Sequence, residues 1–236
     1  MAKKLFIVGT DTDVGKTFVT AGIIHVLREN NYNACSFKPV QSGGILKDEK
    51  LLSGDVEFVK DVTKISEDNF MMNSYCFKEA VSPHLAAEMD KVKINKDKIL
   101  EDYKKLAQKY EYIVVEGAGG IIVPLIRDEY YMYDLIKDLD ASVVIVARAG
   151  VGTINHTVLT VNFLKNMGID IKGLIINGYN NRFYEDDNIE VIKKITGLEV
   201  VCILNKDNTH ENEDFILNVK NEFDESLEIK KILSLF

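Results

Sequence analysis

A lysine followed by a threonine at the end of a glycine-bearing loop suits phosphate chemistry. The stretch Gly9-Thr10-Asp11-Thr12-Asp13-Val14-Gly15-Lys16-Thr17 has that pairing. Between a strand and a helix, such a loop points backbone N–H groups at phosphate oxygens, and the helix start adds positive potential. Lys16 would reach the β- and γ-phosphates of a nucleoside triphosphate, and Thr17 would place its hydroxyl on Mg²⁺. The strict spacing asks for glycine at position 10. Thr10 stands there instead, and Gly9 comes one residue early.

Other segments offer matching groups. In Ile113-Val114-Val115-Glu116-Gly117-Ala118-Gly119-Gly120 an apolar run ends in a carboxylate followed by glycines. The carboxylate can hold Mg²⁺ directly or through water, and the glycines allow close backbone approach. Phe37-Lys38-Pro39-Val40-Gln41-Ser42-Gly43 brings a second lysine to the end of another apolar run. The plain alternative for Lys38 is a surface lysine at a strand end. Asp55, in Ser53-Gly54-Asp55-Val56, lies near a helix start, where a simple cap is the alternative. His84 follows Ser82-Pro83, a helix-start pattern. His25 reads as helix packing, His156 as a packed or dimer-facing side chain, and His210 as exposed.

These groups need a frame. Leu5–Val8, Ala34–Val40, Tyr112–Val115, Ser142–Ala147, Ile171–Ile176 and Leu198–Ile203 read as short strands. Val19, Ile23 and Leu27 repeat at helical spacing across Lys16–Glu29, and Ile99, Tyr103, Leu106, Ala107 and Tyr110 mark another helix. Helices are also expected near Thr153–Met167 and Asp186–Thr196, with Gly168 and Gly197 just past their ends. Continuous Val/Ile runs, rather than alternating ones, belong to strands covered on both faces. The expected fold is therefore α/β: a single domain over residues 1–236, with a mostly parallel sheet under helices on both faces. Ligands of such sheets sit at the carboxyl ends of the strands. The loops after Val8, Phe37, Val115, Ala147 and Ile176 are where chemistry is expected.

Composition excludes several classes. With 46% apolar and 28% charged residues among 236, the chain is neither disordered nor fibrous. The net charge of −8 is mostly local, since Asp207–Glu228 carries eight acids against one lysine. That end reads as a solvated helical flank. No long basic stretch exists to follow a nucleic acid backbone. Three scattered cysteines, Cys35, Cys76 and Cys202, without a CxxC pair, argue against zinc or disulfides, and Cys35 and Cys202 sit in apolar runs. The apolar run after Lys3-Lys4 stops at Gly9, too short for a signal peptide, and no uncharged stretch is apolar enough for a membrane span. A cytoplasmic location is expected.

As a set, the motifs resemble the dethiobiotin synthetase family. The resemblance rests on GTDTDVGKT at Gly9–Thr17, KPVQSG at Lys38–Gly43, SPHLAA at Ser82–Ala87, VVEGAGG at Val114–Gly120, GVGTINHT at Gly150–Thr157 and IIN at Ile175–Asn177. It runs in the family's order to about residue 205. It implies a P-loop NTPase fold and an ATP- and Mg²⁺-dependent cyclo-ligase of biotin synthesis. The substrates would be 7,8-diaminopelargonate and CO₂, or bicarbonate-derived CO₂. A carbamate formed on one amine attacks the γ-phosphate, and the second amine closes a cyclic urea from the resulting carbamic-phosphoric anhydride.

By the same resemblance, Thr17, Asp55 and Glu116 surround Mg²⁺, and Lys38, Lys16 and Thr12 serve the chemistry. Thr12, Lys38 and Ser42 meet the diamine or its carbamate. ATP lies along Asp13, Val14, Gly15, Lys16, Thr17 and Phe18, with Asp55, Glu116, Gly117, Ala118 and Gly119 nearby. Asn177 reads adenine, beside Gly178 and the loop Leu204-Asn205-Lys206, which lacks the proline expected there. The family's homodimer implies that Gly150, Val151, Gly152, Thr153, Ile154 and Asn155 of one chain hold the substrate tail of the other. A different class, the partitioning ATPases that act as nucleotide switches, shares the sheet and loop style. Those proteins usually carry a lysine near the start of the loop, where this chain has Thr10 and Asp11.

Overall fold

The computed structural model describes residues 2–206 and 213–236. Seven strands form its main sheet: β1 Lys3–Gly9, β2 Ala34–Ser42, β3 Asn73–Phe77, β4 Tyr112–Glu116, β5 Ser142–Arg148, β6 Ile171–Tyr179 and β7 Val200–Asn205. They lie in the order β7-β6-β5-β1-β4-β2-β3, and every neighbouring pair is parallel. β4 is buried at all five residues, and β5 at Val143–Ala147, as expected of strands covered on both faces.

The path explains the covering. From β1 the chain crosses to β2 on one side, and from β5 to β6 on the other. Crossovers of one hand that run in opposite directions leave their helices on opposite faces. The helix Lys16–Glu29 packs with Gly54–Thr63 and Glu213–Ser226. Thr153–Asn166 packs with Glu185–Thr196. Gly168 and Gly197 follow their helices at φ of 71° and 70°, where a side chain would be strained.

The structure departs from the sequence expectations in places. β2 runs two residues past the expected end at Val40, to Ser42, so Lys38 lies inside the strand, as that range implied, and not in a loop after Phe37. β3 was not expected: Asn-Ser-Tyr-Cys-Phe is no apolar run, because an edge strand is only half covered. Two antiparallel hairpins, Ile45–Lys47 with Lys50–Leu52 and Pro124–Ile126 with Tyr130–Tyr131, are also additions.

The acidic end is not simply a solvated flank. Its helix Glu213–Ser226 buries Val219 and Phe223, and the short helix Ile229–Leu233 buries Ile232. His210 and Asp207 lie outside the described residues. His25 is buried as expected and meets Asp224 of that helix at 3.2 Å. His156 is exposed in the single chain. Cys35 and Cys202 are core residues whose thiols burial pushes up to about 12. Among the described residues no helix is long and apolar enough to cross a membrane.

Candidate active site

At the carboxyl end of β1, Gly9 leads into the loop. A side chain at Gly9 would collide with Asp11 O and Val14 Cγ2, so the turn there is closed to anything larger. Asp13 at φ 56° and Gly15 at φ 95° are both left-handed, which turns the loop back over the start of the helix Lys16–Glu29. Any Cβ at Gly15 would run into the Asn177 amide nitrogen. Asn177, near the end of β6, donates from Nδ2 to Val14 O at 2.9 Å. The residue expected to read adenine thus also braces the phosphate loop.

Two strands and two helix starts deliver charged groups to one place. Lys38 of β2 reaches Glu116 Oε1 of β4 at 2.9 Å, Gly117 O at 3.1 Å and Asp55 Oδ2 at 2.5 Å. Thr17 Oγ1 donates to the same Glu116 oxygen at 2.7 Å. Lys38 and Glu116 are 5% and 2% exposed, so this is an ion pair removed from water rather than a surface contact. Lys38 is therefore not the surface lysine a strand end allows.

The electrostatics follow from that burial. Desolvation alone would lower the Lys38 pKa, but Glu116 and Asp55 outweigh it and hold the ammonium above its usual range. Burial pushes Glu116 up, and Lys38 only partly opposes this. Asp55 is held below the usual carboxylate range, since Lys38 overcomes its desolvation. Lys16, donating to Asp11 O at 3.1 Å, is lowered by burial and then by repulsion from Lys38. A polyanion bound against the loop would reverse that shift.

The cluster lines a cleft of about 680 Å³. Its walls hold Thr12, Asp13, Gly15, Lys16, Thr17, Lys38, Ser42, Asp55, Glu116, Ala118 and Gly119 of the expected residues. Ser42 Oγ is buried there without a hydrogen-bond partner, which leaves it for a ligand. Gly117 serves through its carbonyl, on Lys38.

The remaining expected residues fall elsewhere. Val14, Gly150, Val151, Asn177, Gly178 and Lys206 border a separate recess of about 290 Å³ that shares Asp13 with the cleft. Thr153, Ile154 and Asn155 begin the helix Thr153–Asn166, whose N-cap Gly152 sits at φ 91° with no side-chain cap. Phe18, Asn205 and Lys206 line a third recess, of about 220 Å³. Asn205 is held there by Glu222, from its N at 2.7 Å and its Nδ2 at 3.1 Å. Leu204 is fully buried, so its side chain belongs to the core and only its backbone is left for a ligand.

Sequence reasoning passed over several residues. Ala80 and Val81 line the cleft, as do Gln41, Ser82 and Pro83, which the motifs contained but which were given no place in the site. Arg148, at the end of β5, donates to Thr12 O at 2.8 Å and so steadies the loop. A charged residue ending the run Val143–Ala147 was the available signal, in the same place on its strand as Glu116 on β4.

Known proteins match this frame and these motifs. The family described as AAA domain matches residues 3–214. The ATP-dependent dethiobiotin synthetase BioD of Clostridium novyi is 44% identical over 98% of each chain. That of Clostridium kluyveri is 48% identical over 94% of each. That of Fusobacterium nucleatum is 46% identical over 86% of this chain and 91% of its own. Among solved structures, the septum site-determining protein MinD of Pyrococcus horikoshii, complexed with Mg-ADP, aligns at a TM-score of 0.58 and 18% identity, over 100% of this chain and 94% of that one. A ParA family ATPase from Chlorobium tepidum aligns at 0.59 and 13% identity, over 94% and 90%. At such identities the last two share the fold alone.

Proposed function

The chain belongs to the AAA-domain family and, within it, to the ATP-dependent dethiobiotin synthetases, and from that premise we propose how its residues divide the work. The reaction joins 7,8-diaminopelargonate and CO₂ into the cyclic urea of dethiobiotin and converts ATP to ADP and phosphate. The observation that carries the assignment of roles is the buried Lys38–Glu116 pair, tied to the phosphate loop through Thr17.

Phosphates lie along Asp13 to Thr17, where backbone N–H groups and the helix start attract them. Lys16 faces the β- and γ-phosphates. A carbamate and a triphosphate are both anionic, so positive charge must sit between them for the carbamate oxygen to approach phosphorus. Lys38 supplies it, and its carboxylate neighbours keep it protonated. Ser42 offers its unpartnered hydroxyl to the diamine or carbamate, and Thr12 lines the same cleft. The carbamate takes the γ-phosphoryl group and ADP leaves. The second amine then attacks the carbonyl carbon, phosphate departs, and the ring closes. Both amines belong to one molecule, so closure is chiefly a matter of positioning. Asn177 Oδ1 accepts from an adenine amino group while its Nδ2 keeps the loop in place.

The hydroxyl of Thr17 and the carboxylates of Asp55 and Glu116 are hard oxygen donors, and Lys38 already draws the two carboxylates together. The set fits Mg²⁺. Bound there, the ion would neutralise charge on the transferring phosphoryl group.

The substrate tail is proposed to rest on the partner chain of a homodimer. Support comes from the placement of Gly150 and Val151 in a recess apart from the cleft and from the 87% exposure of Val151. A helix start with free N–H groups suits a carboxylate. Lys16→Ala chains refolded together with Asn155→Asp chains would then regain about a quarter of the unmodified activity, because half the dimers are mixed and each holds one intact site. No recovery with proven mixed dimers would place each site within one chain.

The direct test of the reaction is phosphate release from ATP and Mg²⁺, with and without the diamine and bicarbonate. Release is expected only with both. Turnover indifferent to the diamine would instead favour a nucleotide switch.

A further inference from the structure

Within the charged cluster, Lys38 and Glu116 lie on sheet strands, and Lys16 and Thr17 begin the first helix. Asp55 has a weaker footing, as the second residue of the helix Gly54–Thr63. Its position depends on how that helix starts. Ser53 is the N-cap, in an extended conformation, and its Oγ accepts from Val56 N at 3.2 Å. A cap satisfies one donor of the first turn but does not anchor the turn to the rest of the protein.

Asn69 supplies the anchor. Its Oδ1 accepts from Ser53 N at 3.1 Å, and its Nδ2 donates to Ser53 O at 3.1 Å and to Glu57 Oε1 at 3.0 Å. Asn69 is 4% exposed and Ser53 fully buried, so water cannot replace these bonds. One amide thus pairs both backbone groups of Ser53, as a neighbouring strand would, and grips the helix two residues beyond Asp55. Ser53 Oγ also donates to Gln41 Oε1 at 3.0 Å. Gln41 lies on β2, three residues past Lys38, so the strand carrying Lys38 and the helix carrying Asp55 are joined a second time.

We propose that Asn69, acting with Ser53, is a positioning residue that sets Asp55 against the Lys38–Glu116 pair, so that the oxygen set is assembled before metal and nucleotide arrive. The inference rests on the reading of Thr17, Asp55 and Glu116 as that oxygen set. Without the amide, Ser53 N loses its partner and Ser53 O keeps only Glu57 N of its own helix, so the turn opens toward water and Asp55 leaves the cluster.

The test uses Mn²⁺ as the probe, titrated into the intact protein with ADP and followed by electron paramagnetic resonance. Asn69→Ala and Ser53→Ala are each expected to weaken Mn²⁺ binding by roughly 10- to 100-fold, the range for lost supports of metal ligands. ADP affinity without metal stays unchanged, because the phosphate loop is untouched. Val59→Ala removes a buried side chain from the same helix. It should lower the melting temperature and leave Mn²⁺ affinity alone. If Val59→Ala weakens Mn²⁺ as much as Asn69→Ala, the effect is general loosening and the proposal is overturned. Asp55→Asn separates the two layers of the argument. Unchanged Mn²⁺ affinity in Asp55→Asn would reject the oxygen set itself. Weak binding in Asp55→Asn, with normal binding in Asn69→Ala and Ser53→Ala, would reject the positioning role alone. If Asn69→Ala does not fold, Ser53→Ala decides.

Discussion

The cleft and the helix Glu213–Ser226 handle charge in opposite ways. In the cleft Lys16, Lys38 and Glu116 are 7%, 5% and 2% exposed; Lys16 is held by Asp11 O of its own loop, and Lys38 and Glu116 hold each other from distant parts of the chain. On the helix Asp224 and Glu225 stand in solvent while Val219 and Phe223 are buried. The helix belongs to the most acidic region of the chain, yet what it buries in the protein is the apolar pair Val219 and Phe223. Phe223 fills the space a side chain at Gly22 would need, with its ring 5.6 Å from that of Phe18. Desolvating a charge is costly unless it is paired, so a buried ion pair calls for a reason that a solvated charge does not. Local density of acids shows where water is. Burial of a few charges shows where chemistry is.

The contrast can be broken most sharply at Lys38. Lys38→Ala leaves Glu116 and Asp55 facing each other without their cation. Stability should fall by about 3–5 kcal/mol, and turnover by roughly 100- to 1,000-fold, while ATP still binds through Lys16. Mg²⁺ should raise the melting temperature of this variant more than that of the unmodified protein. Calorimetry with ATP and thermal melts with and without Mg²⁺ check all three. Equal loss of ATP affinity in Lys38→Ala and Lys16→Ala would end the division of roles between the lysines.

On the helix the expected loss is one of stability alone. Phe223→Ala should cost about 3–5 kcal/mol in a denaturant titration, with kcat unchanged well below the melting temperature. Gly22→Ala tests the same contact from the other side. Alanine favours a helix interior by roughly 0.5–1 kcal/mol, but its Cβ collides with the Phe223 ring. The net effect should be a loss of about 1–3 kcal/mol. In a Phe223→Ala background the collision is gone, and Gly22→Ala should turn neutral or stabilising. Simple additivity of the two changes would show that they do not share the contact. The smallest effect belongs to Asp224→Asn. With Asp224 half exposed, its pair with His25 should contribute no more than about 1 kcal/mol, again read from a denaturant midpoint.

The sequence was most legible where function is written locally. Gly9–Thr17 and Val114–Gly120 each carry their chemistry within one strand end, and the fold places both where parallel sheets hold ligands. Lys38 was found, but not the extent of its burial, because the groups that enclose it, Asp55 and Glu116, come from distant parts of the chain and no local pattern marks them as its partners. Asn69 was invisible. It lies outside every motif, and its role comes from pairing with Ser53, sixteen residues away. β3 escaped because an edge strand keeps polar residues on its open side. Gly22 was a faint clue to Phe223, since a glycine inside a good helix wants a close neighbour as its reason.

The central place of β1 also bears on how the protein is made. Of the seven strands of the sheet, β1 leaves the ribosome before the others, yet in the finished sheet it is flanked by β4 and β5, which begin at Tyr112 and Ser142. At roughly 5–20 residues per second, β1 must wait on the order of ten seconds for both partners. Its apolar Leu5–Val8 is exposed to other chains in the meantime. The loop Gly9–Gly15 is completed later still, since Asn177 braces it only after β6 has emerged. Nucleotide therefore cannot act as an early folding ligand for nascent chains truncated before Asn177, and it should protect only those that extend beyond it.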